Sequence, residues 1–225
     1  MPFRIENQVL IRYQEEEGIT EVIVPDGVTE IGISAFALNK NIESIVLPES
    51  VKIIGAYAFR DCPNFHRLTV GNGIEEVSDD AFYFCFHLRE IIYCGFWIPL
   101  PPFGGAKRAK KVFQVLTGKN LEPFGLDRSY YHMTLWFKFA VSPENQEILK
   151  YIREHFREMY EFPIDCGYTE IMKKILEQKD IVNQYNIDEL IQYAIRRQKY
   201  EIQLMLTDYK YQHFEFSDIS DKLKL

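Results

Sequence analysis

The stretch that decides the fold is a 23-residue unit, written three times and begun a fourth time between Gly18 and Gly95. The successive copies are GITEVIVPDGVTEIGISAFALNK (18–40), NIESIVLPESVKIIGAYAFRDCP (41–63), NFHRLTVGNGIEEVSDDAFYFCF (64–86) and the partial HLREIIYCG (87–95). Each class of residue returns at the same step, as Phe36, Phe59 and Phe82 do. A constant step over several copies predicts a solenoid, in which each unit buries its apolar face against its neighbours.

Each unit divides into two extended pieces and a turn. Residues 20–24 alternate and are rich in β-branched side chains, which predicts a strand. Pro25 ends that strand, because proline cannot donate to a ladder, and residues 26–27 turn the chain. Residues 28–31 predict a second short extended piece. The Ala35–Phe36 pair is then expected on a helical turn that fills the core.

The first strand of each unit predicts a surface that a partner could bind. Alternation directs one row of side chains into the core: Val22, Ile45, Leu68 and Ile91. The outward face then carries Ile23, Val46, Thr69 and Ile92, flanked by Glu21, Ser44, Arg67 and Glu90. An exposed apolar strip is costly unless something covers it, which favours a partner. Two alternatives are that these residues serve as strand formers, or that the C-terminal half covers them.

The repeated pattern I-x-x-I-x-I-P-x-x-V-x-x-I-G-x-x-A-F, which residues 42–59 match almost throughout, resembles the BspA-type leucine-rich repeats of bacteria and some protists. The resemblance covers residues 9–95, and Gly71 and Ser78 in the third copy depart from it. It implies a protein-interaction scaffold, often at a cell surface. Residues 3–13 are expected to form one N-terminal strand that closes the open end of the solenoid.

The sequence as a whole predicts an α+β protein: a short leucine-rich-repeat solenoid, then a cap, then an α-helical module. The predicted boundaries are 1–95 for the solenoid, 96–141 for the cap, 142–216 for the helical module and 217–225 for a polar tail. The periodicity stops after residue 95. The apolar runs KVFQVL (111–116) and HMTLWFKFAV (132–141) are expected to be strands or part of an irregular cap.

Four short amphipathic helices are predicted in the helical module. The first is expected to begin at Ser142, with a proline at its first position, and to end at Pro163. The others are expected to begin near Tyr168, Asn186 and Tyr200.

Part of this module resembles ankyrin repeats. Residues 167–171 resemble the opening of the second helix of an ankyrin repeat, and residues 198–202 are a weaker copy. The resemblance implies a pair of ankyrin-like helical hairpins. A generic helical bundle is the alternative.

The distribution of charge excludes some partners. Residues 1–100 contain 7 Lys and Arg against 15 Asp and Glu, so the solenoid is not expected to bind nucleic-acid phosphates. No apolar run approaches the roughly 18 residues needed to span a bilayer, and no membrane partner is predicted. The N-terminus MPFRIENQVL lacks the basic and apolar regions of a signal peptide, which predicts a cytoplasmic protein.

No catalytic set or cofactor site is predicted. Cys62 and Cys85 occupy the repeat position of Asn39, where a small polar side chain is expected to bond inward to backbone groups. A zinc site formed with His66 and His87 is disfavoured because the histidine spacings differ, and a disulfide is disfavoured in a reducing compartment. We therefore expect no metal and no cofactor.

A non-catalytic scaffold or adaptor that binds a protein partner is thus the favoured function. One alternative is a stoichiometric inhibitor of an enzyme, such as a nuclease with a basic groove, through the acidic patch Glu75, Glu76, Asp79 and Asp80. Another is an enzyme with a site within residues 96–140. A basic patch consists of Lys107, Arg108, Lys110 and Lys111. It is expected to pair with the acidic solenoid, with phosphate or an acidic protein as alternatives.

Overall fold

The computed structural model describes residues 2–101, 104–118, 127–178 and 180–215. The chain divides into two compact units, Met1–Phe137 and Lys138–Leu225, which we call the solenoid unit and the helical unit. The predicted polar tail, residues 217–225, lies outside the described residues.

The chain begins with a β-hairpin. Strands β1 (Phe3–Glu6) and β2 (Val9–Tyr13) pair antiparallel, so the expectation of one strand over residues 3–13 was wrong. The reason is the backbone of Asn7 and Gln8, whose φ angles of 50° and 67° are both left-handed. Two such residues in succession make the tight turn that joins hairpin strands.

Two sheets of short strands form the solenoid. The remaining strands are β3 (Glu21–Ile23), β4 (Glu30–Ile31), β5 (Ser44–Val46), β6 (Ile53–Ile54), β7 (Arg67–Val70), β8 (Glu76–Val77), β9 (Glu90–Tyr93) and β10 (Phe96–Pro99). One sheet has the order β1-β2-β4-β6-β8 and the other β10-β9-β7-β5-β3. All neighbours are parallel except the outermost pairs β1–β2 and β10–β9, and along β3-β5-β7-β9 each strand pairs with the equivalent residues of the next copy.

The repeated phenylalanines form one interior column, as the sequence predicted. The ring centroids of Phe36 and Phe59 lie 5.5 Å apart, and those of Phe59 and Phe82 lie 5.4 Å apart. Tyr13 extends the column at one end, 5.3 Å from Phe36, and Phe113 extends it at the other, 5.7 Å from Phe82. The solenoid core is therefore a stack of aromatic rings. Each copy of the repeat forms one coil of the solenoid and contributes one ring to the stack.

The segments that carry these rings are tight turns, not the helical turn expected at Ala35–Phe36. Ser34 and Leu38 have φ angles of 55° and 67°, and left-handed residues interrupt a helix. The amide of Leu38 donates to the Arg60 carbonyl of the next coil at 2.8 Å. The turns thus stack on one another by hydrogen bonds between coils.

The polar side chains below the turns bond inward, as predicted. Asn39 Nδ2 donates to the Phe36 carbonyl at 2.6 Å. The thiol of Cys62 donates to the same carbonyl at 3.1 Å, and that of Cys85 donates to the Phe59 carbonyl at 2.8 Å. Burial raises the pKa of Cys62 to about 12 and also raises the pKa of Cys85.

The two apolar runs after the solenoid are helical, so the expectation of strands there was wrong. Helices α1 (Gly105–Leu116) and α2 (Arg128–Val141) contain them. In α1, Ala109, Val112 and Phe113 are buried at helical spacing. In the second run, residues 132–137 are all buried, and a segment that is buried on every side shows no helical periodicity in its sequence.

Helix α1 packs against the last coil at its first residue. A Cβ atom at Gly105 would lie 1.9 Å from the Leu88 carbonyl oxygen, so only glycine permits this approach.

The helical unit contains α3 (Gln146–Met159), α4 (Glu161–Cys166), α5 (Thr169–Glu177), α6 (Ile187–Arg196), α7 (Tyr200–Lys210) and a π-helical turn (Tyr211–Glu215). Helix α3 starts later than expected, because Asn145 rather than Ser142 is its N-cap. The Asn145 side chain accepts hydrogen bonds from the amides of Glu147 and Ile148, both at 3.1 Å. Pro163 lies in the first turn of α4 rather than at the end of α3, a place where its missing N–H costs nothing.

The last four helices form two hairpins, α4/α5 and α6/α7, with contacts between α4 and α6 and between α5 and α7. Asp165 joins the hairpins: it accepts two hydrogen bonds from the Arg197 guanidinium, at 2.5 and 2.8 Å, and one from the Tyr193 hydroxyl at 3.1 Å. The expected helices near Tyr168, Asn186 and Tyr200 are present. Their assignment to the ankyrin family stays a prediction.

Candidate functional site

The outward side of the sheet β3-β5-β7-β9-β10 carries the row that the sequence singled out. Strand pairing aligns Ile23, Val46, Thr69, Ile92 and Trp97, which we call the sheet-face row. Ile23 is 66% exposed, whereas Val46, Thr69 and Ile92 are half-buried. Their inward neighbours Val22, Ile45, Leu68 and Ile91 are buried, so alternation along each strand separates core from surface.

Trp97 is the member of this row that sequence reasoning missed. It lies on β10, opposite Ile92, and is 55% exposed. Cys94 and Gly95 both adopt left-handed φ and join β9 to β10 as a hairpin; in the sequence, only the glycine at position 95 signalled this turn. The alternation that follows the turn buries Ile98 and leaves the indole outside.

A polar row runs beside the sheet-face row, formed by Glu21, Ser44, Arg67 and Glu90, which the same strand pairing aligns. Ser44 was expected on the surface but is buried, with its hydroxyl donating to Glu21 at 3.4 Å. Glu90 organises one end of this polar row. Its Oε1 accepts hydrogen bonds from Arg67 at 2.8 and 2.9 Å, and its Oε2 accepts from the indole N–H of Trp97 at 2.7 Å. One carboxylate therefore fixes a guanidinium and an indole side by side on the surface.

Half of the predicted acidic patch is neutralised within the chain. Lys52 lies 2.8 Å from Glu75, and Lys110 lies 2.7 Å from Asp79. Glu76 and Asp80, both in the third copy of the repeat, are exposed.

The basic patch lies on α1, where it meets the solenoid through Lys110. The Arg108 guanidinium stacks over the ring of Tyr130 at 5.0 Å. Lys107 is exposed and Lys111 is half-buried. The pairing of Lys110 with Asp79 corresponds to the contact expected between the basic patch and the acidic solenoid.

Each unit also contains an open groove lined by described residues. The groove in the solenoid unit, of about 460 Å³, lies between β8 and α1 and is lined by Glu76, Val77, Ser78, Asp79, Phe113, Gln114 and Thr117. The Thr117 hydroxyl donates to the Phe113 carbonyl of its own helix at 2.8 Å. The groove in the helical unit, of about 410 Å³, contains the Arg153–Asp180 ion pair and the exposed Tyr185. Neither lining, over the residues described, contains a histidine or a cysteine.

Within residues 2–101, 104–118, 127–178 and 180–215, no three His, Cys, Asp or Glu side chains gather as metal ligands would. Of the helices in the described part of the chain, none combines the length and the apolar character needed to cross a bilayer.

Comparison with known proteins concerns the solenoid. Residues 12–96 match the family model described as the BspA type leucine rich repeat region, in six copies. Among solved structures, the chain is similar to a leucine rich cell surface protein from Faecalibacterium prausnitzii A2-165, with 20% identity and a TM-score of 0.26. The match covers 42% of this chain and 38% of that one, so it spans well under half the length of that protein. No curated protein matches the chain. The cytoplasmic location stays a prediction.

Proposed function

Residues 12–96 form a BspA-type leucine-rich repeat region, and from this premise we propose that the protein is a non-catalytic interaction module that binds a protein partner through the sheet-face row and the polar row beside it. Repeats of this class are generally protein-interaction modules. The observation that carries the proposal is the Arg67–Glu90–Trp97 arrangement beside the apolar row.

The composition of this surface favours protein binding. Tryptophan and arginine are the residue types most often found at the energetic centre of protein interfaces. Here Glu90 holds both before any partner arrives, so binding loses less side-chain entropy than it would with free rotamers. Ile92 lies opposite Trp97, and the row continues through Thr69 and Val46 to Ile23 at the other edge of the sheet.

The experiment compares partners captured from native cells by wild-type protein and by matched variants, followed by calorimetry with each purified partner. Ile23→Asp and Trp97→Ala should each weaken binding at least about thirtyfold, the size of a hot-spot substitution. Ile33→Asp is the matched control, because Ile33 is exposed to a similar degree (71%) but lies outside the sheet. A partner whose affinity is lowered only by Ile33→Asp would contradict the proposal.

Fluorescence gives a second measurement of the same contact. The chain has two tryptophans. Trp97 is 55% exposed and Trp136 is fully buried, so acrylamide quenching reports mainly on Trp97. A bound partner should protect the exposed indole from acrylamide. Unchanged quenching in a saturated complex would place the contact elsewhere.

The inhibitor alternative receives less support from the geometry, because Glu75 and Asp79 already pair with lysines of the same chain. Salt separates the two hypotheses. Binding through the acidic patch should weaken steeply as salt rises, whereas binding through the sheet-face row should change little.

A further inference from the structure

The fourth copy of the repeat is left incomplete, and this leaves one edge of a sheet open. The copy supplies β9 to one sheet, but in the described part of the chain the other sheet ends at β8, which pairs with β6 on one side only. The reason lies at Cys94 and Gly95, whose left-handed turn sends the chain back along β9 as β10. The sheet that contains β8 therefore receives no strand from the fourth copy.

The outer edge of β8 carries backbone groups that the earlier coils pair. In the second coil (41–63), the carbonyls of Lys52 and Ile54 accept hydrogen bonds from amides of the third coil, at 2.8 and 3.0 Å for Lys52 and 2.9 Å for Ile54. The equivalent carbonyls one step of 23 residues later belong to Glu75 and Val77. Within the described part of the chain, no backbone amide donates to either of them. The Val77 amide faces the same way as its carbonyl, because both groups of a residue point to one side of an extended strand.

The continuation of the chain lacks the donors that this edge needs. The amides of Glu76 and Ser78 donate across the previous pair of strands, and one step later the same positions hold Pro99 and Pro101. Proline has no N–H to donate to a ladder. The sequence thus removes both hydrogen bonds that a complete fourth coil would make to β8.

The open edge forms one wall of the groove of about 460 Å³ between β8 and α1. Helix α1 covers the end of the aromatic column through Phe113, whose ring stacks on Phe82. Gln114 and Thr117, both half-buried, line the groove from the helix side. The volume lies within the range of about 300–1,000 Å³ that is typical of ligand sites. A groove with a strand edge along one wall has the shape of a site for an extended chain.

We propose that the edge of β8 binds an extended peptide segment of a protein partner, in the place and direction of the missing strand of the fourth coil. Addition of a strand to an open sheet edge is a general mode of peptide recognition, in which backbone hydrogen bonds supply the affinity. The Glu75 and Val77 carbonyls each accept an amide of the peptide, and the Val77 amide donates to a peptide carbonyl. The site lies on the other sheet from the sheet-face row and does not depend on it.

Burial along the sheet specifies one side chain of the peptide. The inward position of successive strands holds Ile31, Ile54 and Val77. Ile31 and Ile54 are fully buried, whereas Val77, which has a strand on one side only, is half-buried. A β-branched apolar residue of the peptide next to Val77 would continue this row and complete its burial.

Charge specifies the adjacent side chain. The outward position of β8 holds Glu76, which is exposed, and opposite charges on neighbouring strands attract. The chain already uses such a pair between coils, Lys52 with Glu75 at 2.8 Å. The described residues that line the groove include Glu76 and Asp79 but neither a lysine nor an arginine. We therefore expect the peptide to carry a basic residue immediately before its β-branched one.

The test uses the full chain and a fluorescein-labelled hexapeptide with blocked ends, Gly-Thr-Arg-Val-Thr-Gly. Its arginine is placed beside Glu76 and its valine beside Val77. Fluorescence anisotropy should show saturable binding with a dissociation constant below about 1 mM. Absence of saturable binding at that concentration would overturn the proposal.

Methylation of single peptide amides separates strand addition from binding through side chains alone. The arginine amide and the second threonine amide donate to the Glu75 and Val77 carbonyls, so methylating either should weaken binding about tenfold. The valine amide between them points away from β8, and its methylation is the matched control, with a change of less than about twofold. Equal losses at all three amides would contradict a strand-like complex.

Variants of the protein test the same contacts from the other side. Val77→Pro removes the amide that faces the groove, while Glu76 and Ser78 keep their bonds to the second coil, and proline is tolerated on an edge strand. It should weaken the peptide about tenfold. Glu76→Lys should weaken it two- to fivefold, by about the effect of one cross-strand pair, and should favour a peptide with glutamate in place of arginine. Glu30→Lys is the control, because β2 and β6 already lie on both sides of that position.

Hydrogen exchange followed by NMR locates the bound peptide, since the Val77 amide should exchange at least about tenfold more slowly in the complex. Circular dichroism shows whether Val77→Pro keeps its fold, and the methylated peptides test the proposal on wild-type protein if it does not. A bound peptide that leaves Val77 exchange unchanged would overturn the proposal. A wild-type dimer that Val77→Pro dissociates would assign the edge to a second copy and overturn it as well. Trp97→Ala should leave peptide affinity unchanged, so failure here and failure of the sheet-face row are distinguishable.

Discussion

The solenoid unit and the helical unit are stabilised in different ways. In the solenoid, equivalent side chains stack on one another at a fixed step, and one ring, such as Phe59, contacts the rings of the coils on both sides. In the helical unit, each helix buries its own apolar stripe, and polar contacts such as Asp165 with Arg197 join the hairpins. Repetition therefore concentrates stability in a single column, whereas unlike helices distribute it over separate contacts.

The strongest test of this difference is Phe59→Ala. The ring is fully buried among Phe36, Phe65 and Phe82, so its removal should cost about 3–5 kcal/mol of unfolding free energy. Urea denaturation followed by circular dichroism measures the loss. Phe86→Ala is the matched control, since that ring is 66% exposed and should change stability by less than about 0.5 kcal/mol. Equal costs would mean that the column is not the core.

A second effect should appear in the solenoid at alkaline pH. Burial raises the pKa of the Cys62 thiol from 9.0 to about 12, so folding favours the protonated form. The stability this provides is fully present below pH 9 and is lost as pH rises toward 12, by about 1.4 kcal/mol per pH unit. The measurement is the urea midpoint against pH. Cys62→Ala should flatten the profile clearly, and Cys166→Ala, at an exposed thiol whose pKa burial raises less, should flatten it only slightly.

In the helical unit, Asp165→Ala should cost about 1 kcal/mol. The substitution removes the paired hydrogen bonds to Arg197 and the bond from Tyr193, but solvent screens the contact because the Arg197 side chain is 51% exposed. Thermal unfolding followed by circular dichroism measures it. Glu170→Ala breaks the more exposed ion pair with Lys173 and serves as the control, with almost no expected effect. A loss at Asp165 as large as that at Phe59 would erase the contrast between the units.

The smallest effect is expected at Lys110→Gln. The ion pair with Asp79 is partly exposed, so its loss should change the unfolding free energy by only a few tenths of a kcal/mol. The same urea titration detects it, with Lys107→Gln as the control at an exposed neighbour. A loss above about 2 kcal/mol would show that the contact of α1 with the solenoid depends on charge rather than on the apolar packing of Phe113.

The repeated part of the chain could be predicted well from the sequence, and the unrepeated parts less well. The constant step fixed the register, the Phe36–Phe59–Phe82 column and the direction of each strand residue, because every copy repeated the same evidence of burial. In the unrepeated segments, each pattern occurred only once, so no second copy could support its interpretation. The hairpin at Asn7–Gln8 depends on two left-handed residues, and α2 is too uniformly apolar to reveal a period.

The candidate site was predictable where it repeats and missed where it does not. Ile23, Val46, Thr69 and Ile92 recur at the fixed step, whereas Trp97 enters the row from an antiparallel strand that breaks the period. The bond between Glu90 and Trp97 joins residues 7 apart in sequence, and only the pairing of β10 with β9 brings them together.

The two strands that reverse direction, β1 and β10, lie outside the repeated copies, one at the outer edge of each sheet. The number of coils in the array therefore does not determine how its two ends are closed. Whole coils could be gained or lost by gene duplication or deletion between the two ends without redesign of either. A single residue inserted within a strand would instead exchange interior and exterior over the rest of that strand, so whole coils are the step that preserves the core.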